Sequence, residues 1–461
     1  MSETVSLRSV ALNALHAVLE QGRPSHLVIR ETLAVHPEYS RQEKAFFTRL
    51  CEGTVEQMIR LDYVLAKCSS VPVKKMKPLI RTLMRMSVYQ IMFMDSVPDS
   101  AVCNEAVRLA SKRGFSGLKG FVNGVLRSVC RLDKEKTLPD RQKNEHEYFS
   151  VRYSMPLWLV DYLAEQFGEE QLETILNGYL TERPMTVRMN LSRSGRDDIL
   201  GLLKQSDVGV GDPFDEHFSA FNNYFPEALS LTGTGNLIDI DVWKQGLIQV
   251  QDMASMLPVY AAQLKPGDYV LDICAAPGGK SLHAADVLAG TGKVISRDLT
   301  EEKVKLIREN IARSKYTEIS TEVHDASVFD PSLEGAMDVV IADLPCSGLG
   351  IIGKKPDIKY RMSHEQILEL ATLQKKLLTV AKRYVKPGGK LIFSTCTLSR
   401  EENELNREFF LTEFSDFSPL ALTDRHFLPF EEESLREGYI QLVPGIHPCD
   451  GFYVAAFRRN S

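Results

Sequence analysis

The stretch Tyr269-Val270-Leu271-Asp272-Ile273-Cys274-Ala275-Ala276-Pro277-Gly278-Gly279-Lys280-Ser281 decides the fold class of the C-terminal half. A short β-rich run ends on an acidic residue, small residues follow, and an apolar helical stretch begins, which is how a βαβ unit starts. Similar runs recur at Lys293-Val294-Ile295-Ser296, Asp338-Val339-Val340-Ile341-Ala342 and Lys390-Leu391-Ile392-Phe393-Ser394, with helical stretches between them. This alternation predicts a Rossmann-like α/β domain with a parallel sheet from about residue 237 to 461. Ligands of such sheets sit beyond the carboxyl ends of the strands, so the residues directly after each run are the candidates for chemistry.

The first strand end is neither GxGxxG nor GxxxxGK[ST], so no pyrophosphate cradle is indicated. Small residues still let a ligand approach backbone at a helix N-terminus. The second run leads to Asp298, nineteen residues after Gly279, the spacing at which a carboxylate accepts hydrogen bonds from a ribose diol. Asp325 follows the short run Glu322-Val323-His324. Acidic strand ends without a phosphate cradle suit a nucleoside cofactor lacking phosphates, and S-adenosylmethionine fits better than NAD. The later strands deliver Asp343-Leu344-Pro345-Cys346-Ser347-Gly348 and Ser394-Thr395-Cys396-Thr397. Two cysteines at strand ends of one sheet, one of them three residues after an aspartate, point to a thiol nucleophile. Carbon 5 of cytosine is too poor a nucleophile to take a methyl group unaided. Thiolate attack at C6, with a hydrogen bond or proton at N3, turns the ring into an enamine whose C5 can attack. A base buried in structured RNA would first have to leave its stack.

The remainder of the chain frames this site. With 461 residues, 44% hydrophobic and 25% charged, the composition is that of a globular protein of two to four domains. No apolar run reaches the length of a membrane span and the first residues do not resemble an export signal, so a cytoplasmic protein without a membrane partner is expected. Eight cysteines without a CxxC pair argue against a disulfide scaffold and a zinc site, and no metal is expected. Cys51, Cys68, Cys103, Cys130 and Cys449 read as ordinary core or surface thiols. Residues 1–140 hold 21 Lys and Arg against 14 Asp and Glu, a net of +7, whereas the rest of the chain is acidic. That asymmetry suits an N-terminal part meeting a polyanion, or equally a solvated basic surface.

Residues 1–140 read as a helical bundle, with a stop at Gly22-Arg23-Pro24 and a capping box at Ser40-Arg41-Gln42-Glu43. Lys74, Lys77, Arg81 and Arg85, at steps of three and four, form one stripe if the segment is a continuous helix. The stripe either tracks phosphates or is a solvated face. Residues from Leu132 to Glu147 are charged, contain Pro139 and read as a linker. Residues 141–236, linker included, are expected to form a small α+β segment leading into the third part, 237–461.

The quoted motifs resemble those of the bacterial Sun/Fmu/RsmB-type 16S ribosomal RNA cytosine-C5 methyltransferases. The matching elements are CAAPGGK at Cys274 to Lys280, DLPCSG at Asp343 to Gly348, STCT at Ser394 to Thr397, REENE at Arg400 to Glu404 and DGFYVA at Asp450 to Ala455. GTVE at Gly53 to Glu56 and FVNGVLR at Phe121 to Arg127 are similar to the NusB-type helical RNA-binding domain fused ahead of the catalytic part in that family. The resemblance implies a class I S-adenosylmethionine-dependent methyltransferase domain. Cys274, Ala275, Ala276, Pro277, Gly278, Gly279 and Lys280 would line the methionine end of the cofactor, Asp298 the ribose and Asp325 the adenine. Asp343 would lie between cofactor and target base, Cys396 would be the nucleophile, and Cys346 would assist product release. Because DNA cytosine-C5 methyltransferases place their nucleophile in a Pro-Cys motif like Pro345-Cys346, both cysteines are chemically eligible. STCT followed by REENE favours Cys396. Leu344, Leu349 and Tyr360 depart from the commoner family residues and leave the reactive groups intact.

The resemblance implies 16S ribosomal RNA as partner, free or in an assembling small subunit, and a monomer is expected. Transfer RNA is the alternative substrate; an assembly factor without catalysis is the alternative class. Lys354, Lys355, Lys359 and Arg361 are candidates to clamp RNA phosphates. Arg188 and Asn190 either touch RNA or dock the middle segment, and Gln251-Asp252-Met253-Ala254-Ser255 is either a motif near the active site or a capped helix start.

Overall fold

The structure, a computed structural model, describes residues 6–133, 137–206, 208–214, 216–235, 237–430 and 432–461. Lys134, Glu135 and Lys136 of the expected linker lie outside the described residues. The chain forms two compact units. The first contains residues 1–180 together with Ile352–Arg361, and the second holds Thr181–Ile351 and Met362–Ser461.

The first unit is helical among its described residues. Its helices are Leu7–Leu19, Ser25–Ala34, Arg41–Glu56, Met58–Cys68, Pro78–Phe93, Asp99–Lys112 and Lys119–Cys130, then Glu145–Arg152, Leu157–Phe167 and Glu169–Leu180. Leu12, Leu15, Phe47, Leu50, Leu61, Leu83, Met84, Val122 and Leu126 recur at helical spacing and close the core. The capping box at Ser40 is formed: its hydroxyl accepts from the Glu43 amide, and the Glu43 carboxylate accepts from the Ser40 amide. Gly53 is required by close approach, since a Cβ there would lie 2.0 Å from the Tyr89 hydroxyl. The last residues read as linker, from Glu145 on, begin a helix whose N-cap Asn144 accepts from the Glu147 amide.

The basic stripe dissolves into parts. Pro78 starts the helix at its first position, which leaves Lys74 in a preceding 3-10 turn and Lys77 as the cap residue. Arg81 pairs with Glu20, and Arg85, only 7% exposed, is bound by both Asp62 oxygens at 2.7 Å. Only Lys74 and Lys77 face solvent freely. The helix that carries Arg81 and Arg85 begins only at Pro78, so the helical period does not extend back to Lys74.

The segment Ile352–Arg361 also corrects an expectation. Lys359 is 1% exposed and donates from Nζ to the carbonyl of Glu56 at 2.9 Å. Tyr360 donates its hydroxyl to the same carbonyl at 3.0 Å and meets the Ser154 hydroxyl at 3.1 Å. Glu56 ends helix Arg41–Glu56, so a lysine and a tyrosine cap carbonyl groups that helix geometry leaves unpaired. Asp357 accepts from Ser25, the first residue of helix Ser25–Ala34, and pairs with Arg361 at 2.6 Å. Lys359 and Arg361 are therefore committed within the unit and are not free phosphate clamps.

The second unit carries two sheets. Strands β1 (Met185–Met189), β2 (Gly209–Gly211), β3 (Ala228–Thr232) and β4 (Ile248–Val250) form an antiparallel sheet in the order β2-β3-β1-β4. Strands β5 (Tyr269–Asp272), β6 (Lys293–Asp298), β7 (Ile319–Val323), β8 (Met337–Asp343), β9 (Val385–Thr395), β10 (Phe417–Pro419), β11 (Tyr439–Leu442) and β12 (Phe452–Arg459) form the larger sheet. Its order is β10-β12-β9-β8-β5-β6-β7, with β11 on β12. The pairs β5–β6, β6–β7, β5–β8 and β8–β9 are parallel, as the alternation of strands and helices predicts, and β12 returns antiparallel against β9. Near-continuous apolar runs such as Val339-Val340-Ile341-Ala342 and Leu391-Ile392-Phe393 are fully buried, as strands covered on both faces must be.

Candidate active site

The order reverses between β8 and β6 across the central β5, and a doubly wound sheet opens its crevice at that point. Asp272, Asp298 and Asp343 close β5, β6 and β8. Below the crevice Asp272 is fully buried; it accepts from the Ser281 hydroxyl at 2.7 Å, and Ser281 in turn accepts from Ser296 at 2.8 Å. Burial is the main cause that pushes its carboxyl up to about 7. The turn after β5 is laced to β6, with the Ala275 amide on the Arg297 carbonyl and the Ala276 amide on Asp298 Oδ2, each at 2.9 Å. Gly278 has φ +106°, a conformation that favours glycine, and Gly279 opens helix Gly279–Leu288.

Asp298 also accepts from the Leu299 amide at 2.7 Å and pairs with Lys303 at 3.0 Å. Next to it the Leu299 side chain is left 57% exposed, an apolar surface at an acidic strand end. Asp325 is exposed and accepts from the Ser327 amide at 2.8 Å, which holds its carboxyl below the usual range. Asp343 is gripped from two sides, by Lys280 Nζ at 2.5 Å and by the Ser394 hydroxyl at 2.8 Å. Lys280 also lies 5.3 Å from the centre of the Phe452 ring.

Cys346 and Cys396, from the loops after β8 and β9, face each other with sulfurs 3.3 Å apart. The hydrogen bond to Cys396 is the largest cause holding the Cys346 thiol well above the usual range, followed by burial and charge repulsion from Cys396 and Glu402. Cys274, half-buried in the motif loop, is also pushed up, mainly by burial.

Three family models match the chain: a 16S rRNA methyltransferase RsmB/F model over residues 259–458, a NusB model over 5–131, and a ferredoxin-like domain of RsmF/B-like methyltransferases over 155–216. The probable ribosomal RNA small subunit methyltransferase B of Bacillus subtilis is 33% identical over 458 residues, 99% of each chain. The chain belongs to the RsmB/F methyltransferase family. The corresponding protein of Proteus mirabilis is 30% identical over 90% of this chain and 94% of its own. Among solved structures, PH0851 superposes over the full length of both chains with a TM-score of 0.81 and 25% identity. NSun6 from Pyrococcus horikoshii shares the fold over 66% of this chain and 98% of its own, with a TM-score of 0.54 and 20% identity.

This RsmB/F methyltransferase uses S-adenosylmethionine and acts on RNA. The strand ends fit that cofactor: β5, β6 and β8 close on carboxylates, Asp325 follows β7, and the turn after β5 is not a phosphate-binding motif. Among the described residues no cluster suits a metal ion, and no helix is long and apolar enough to cross a membrane.

The sequence-predicted residues converge. Hydrogen bonds join Ala276 to Asp298, Lys280 to Asp343 and Asp343 to Ser394, two residues before Cys396, which faces Cys346, and Asp325 lies past the end of β7. Arg188 and Asn190 are docking residues. Arg188, fully buried, donates to Gln251 at 3.0 Å and Asp286 at 2.9 Å, and Asn190 donates to the Gly246 carbonyl at 2.7 Å. Asp252 accepts from the Ala254 amide and so caps helix Met253–Ala262. Sequence reasoning gave no part to Ser394, Ser347, Gln374, Glu402 or Asn403. A signal was present in the hydroxyl residues flanking both cysteines and in REENE, but their partners are set only by the fold.

Proposed function

We propose that the protein methylates carbon 5 of a cytosine in 16S ribosomal RNA, with Cys396 as covalent nucleophile, Cys346 as the group that serves release, and Asp343 at the pyrimidine edge. The observation that carries this is the pair of sulfurs 3.3 Å apart beside a carboxylate fixed by Lys280 and Ser394. Cys274 to Lys280 hold the methionine end of the cofactor, Asp298 the ribose and Asp325 the adenine side. Bound S-adenosylmethionine supplies an electrophilic methyl group on a positively charged sulfur.

The two thiols divide the work by protonation. The hydrogen bond to Cys396 and burial hold the proton of Cys346, which leaves Cys396, facing it, as the nucleophile. The Cys396 thiolate adds to C6, while Asp343 meets N3 or the exocyclic amine and stabilises the charge that develops there. Addition turns Cys396 into a neutral thioether. Cys346, once its own proton has left to solvent, takes the carbon-5 proton as the C6–S bond breaks.

The substrate is the ribosomal RNA, free or in an assembling subunit, and the enzyme acts as a monomer in the cytoplasm. The test is incubation of the purified protein with unmethylated 16S ribosomal RNA and methyl-labelled cofactor, followed by digestion to nucleosides. Label in 5-methylcytidine supports the reading. Label in another nucleoside, or in transfer RNA alone, overturns it.

A further inference from the structure

Glu402 and Asn403 are neighbours in the REENE run, both fully buried, yet their side chains serve different loops. The Glu402 carboxylate accepts the Ser347 amide at 2.9 Å, the Ser347 hydroxyl at 2.5 Å and Gln374 Nε2 at 3.0 Å. Gln374 Nε2 donates as well to the Pro345 carbonyl at 2.9 Å, and its orientation is fixed by Asn406, which donates to Gln374 Oε1 at 2.7 Å. Cys346 is thus held through both of its peptide neighbours. Asn403 Oδ1 accepts from the Thr395 hydroxyl at 2.5 Å, while Nδ2 donates to the Thr397 carbonyl at 3.1 Å and to Gln441 at 2.7 Å. Cys396 is held through both of its neighbours in the same way. The loops touch where Ser347 and Thr397 hydroxyls lie 2.6 Å apart.

A buried carboxylate is costly unless its acceptors are filled, and an apolar residue would fill the same space more cheaply. Here Ser347 and Gln374 both donate into Glu402, and they hold the residues flanking one sulfur.

We infer that Glu402 and Asn403 are positioning residues that divide the two half-reactions between them, Glu402 setting Cys346 for release and Asn403 setting Cys396 for addition. This rests on the cysteine roles proposed above. In addition, the thiolate pair of Cys396 forms the S–C6 bond. In release, the carbon-5 proton passes to the Cys346 sulfur, the pair left behind restores the C5–C6 double bond, and Cys396 leaves as a thiolate. Loss of Glu402 should therefore stall the second step with the adduct in place, and loss of Asn403 should prevent the first.

The experiment compares full-length Glu402→Ala and Asn403→Ala with Cys346→Ala and Cys396→Ala. It measures methyl transfer to 16S ribosomal RNA and the fraction of protein linked to RNA on a denaturing gel. Glu402→Ala is expected to slow turnover by roughly 100-fold, the scale of a misplacement of about 1 Å, and to accumulate adduct as Cys346→Ala does. Asn403→Ala is expected to lose turnover and adduct together, as Cys396→Ala does. Glu402→Gln, which keeps an acceptor for the Ser347 amide, should restore part of the turnover and lower the adduct. If a variant does not fold, Gln374→Met, which loses the bonds to the Pro345 carbonyl and Glu402, replaces Glu402→Ala, and Thr395→Val replaces Asn403→Ala, with the same expected split. Equal loss of turnover without the split in adduct, or wild-type behaviour of both, overturns the inference. Should the two cysteine controls themselves fail to differ, the cysteine roles fall, and this inference with them.

Discussion

Replacing Asp272 with asparagine should flatten the dependence of stability on pH. The carboxyl is fully buried at the end of β5, one oxygen accepts from Ser281, and the other has no hydrogen-bond partner. Burial raises it from 3.8 to about 7, opposed by the Ser281 hydrogen bond and by Lys280. A carboxyl raised in the folded state binds its proton more tightly there than in the unfolded chain. Wild-type stability therefore falls as pH rises from about 4 to about 7, and the full cost is present above 7. A shift of about three units at about 1.4 kcal/mol each gives a ceiling of about 4 kcal/mol. Asparagine still accepts the Ser281 hydrogen bond and does not titrate. The assay is urea denaturation of both proteins from pH 5 to 8.5 at fixed ionic strength. The variant should gain on the wild type by up to about 3 kcal/mol across that range, the first part of the cost being already present at pH 5; parallel curves would show that Asp272 titrates normally and that the buried floor under the cofactor turn is misread.

Other consequences can be checked separately. Lys359→Met should leave the salt dependence of RNA binding unchanged, because the amine is buried against the Glu56 carbonyl; a slope reduced by about one would restore it as a phosphate contact. Burial lowers that lysine from 10.5 to about 7, so the unfolded chain binds the proton more tightly and wild-type stability rises with pH between about 7 and 10.5. Denaturation of Lys359→Met should show this rise removed. Arg188→Met breaks a buried pair with Asp286 and should cost about 3 kcal/mol, read by denaturation; unaltered stability with weaker RNA binding would make Arg188 an RNA contact. Asp343→Asn should slow methyl transfer by roughly 100-fold, and an unchanged rate constant in single-turnover assays would remove Asp343 from the chemistry.

The catalytic sheet was legible because each central strand is a short apolar run that stops on a polar residue, and a parallel sheet presents those stops along one edge. Asp298, Asp343 and Cys396 were singled out by that rule. The RNA-facing expectations fared worse, since charge in a sequence does not say whether a partner waits in the fold. Arg81 finds Glu20, Arg85 finds Asp62, and Lys359 finds a helix end some three hundred residues earlier in the chain. Glu402 and Asn403 were visible as part of a motif, but not their division of labour. That depends on which loop each carboxamide or carboxylate reaches, and Glu402 reaches Ser347 across 55 positions.

The proposed reaction rests on a sulfur–carbon bond formed by one particular cysteine. The direct measurement is to trap the protein on 16S ribosomal RNA containing 5-fluorocytidine, whose fluorine cannot leave as a proton, and to locate the attachment by peptide mass spectrometry. A nucleotide on the peptide carrying Cys396 is the predicted result; attachment at Cys346, or no attachment while methylation of ordinary RNA proceeds, would contradict it.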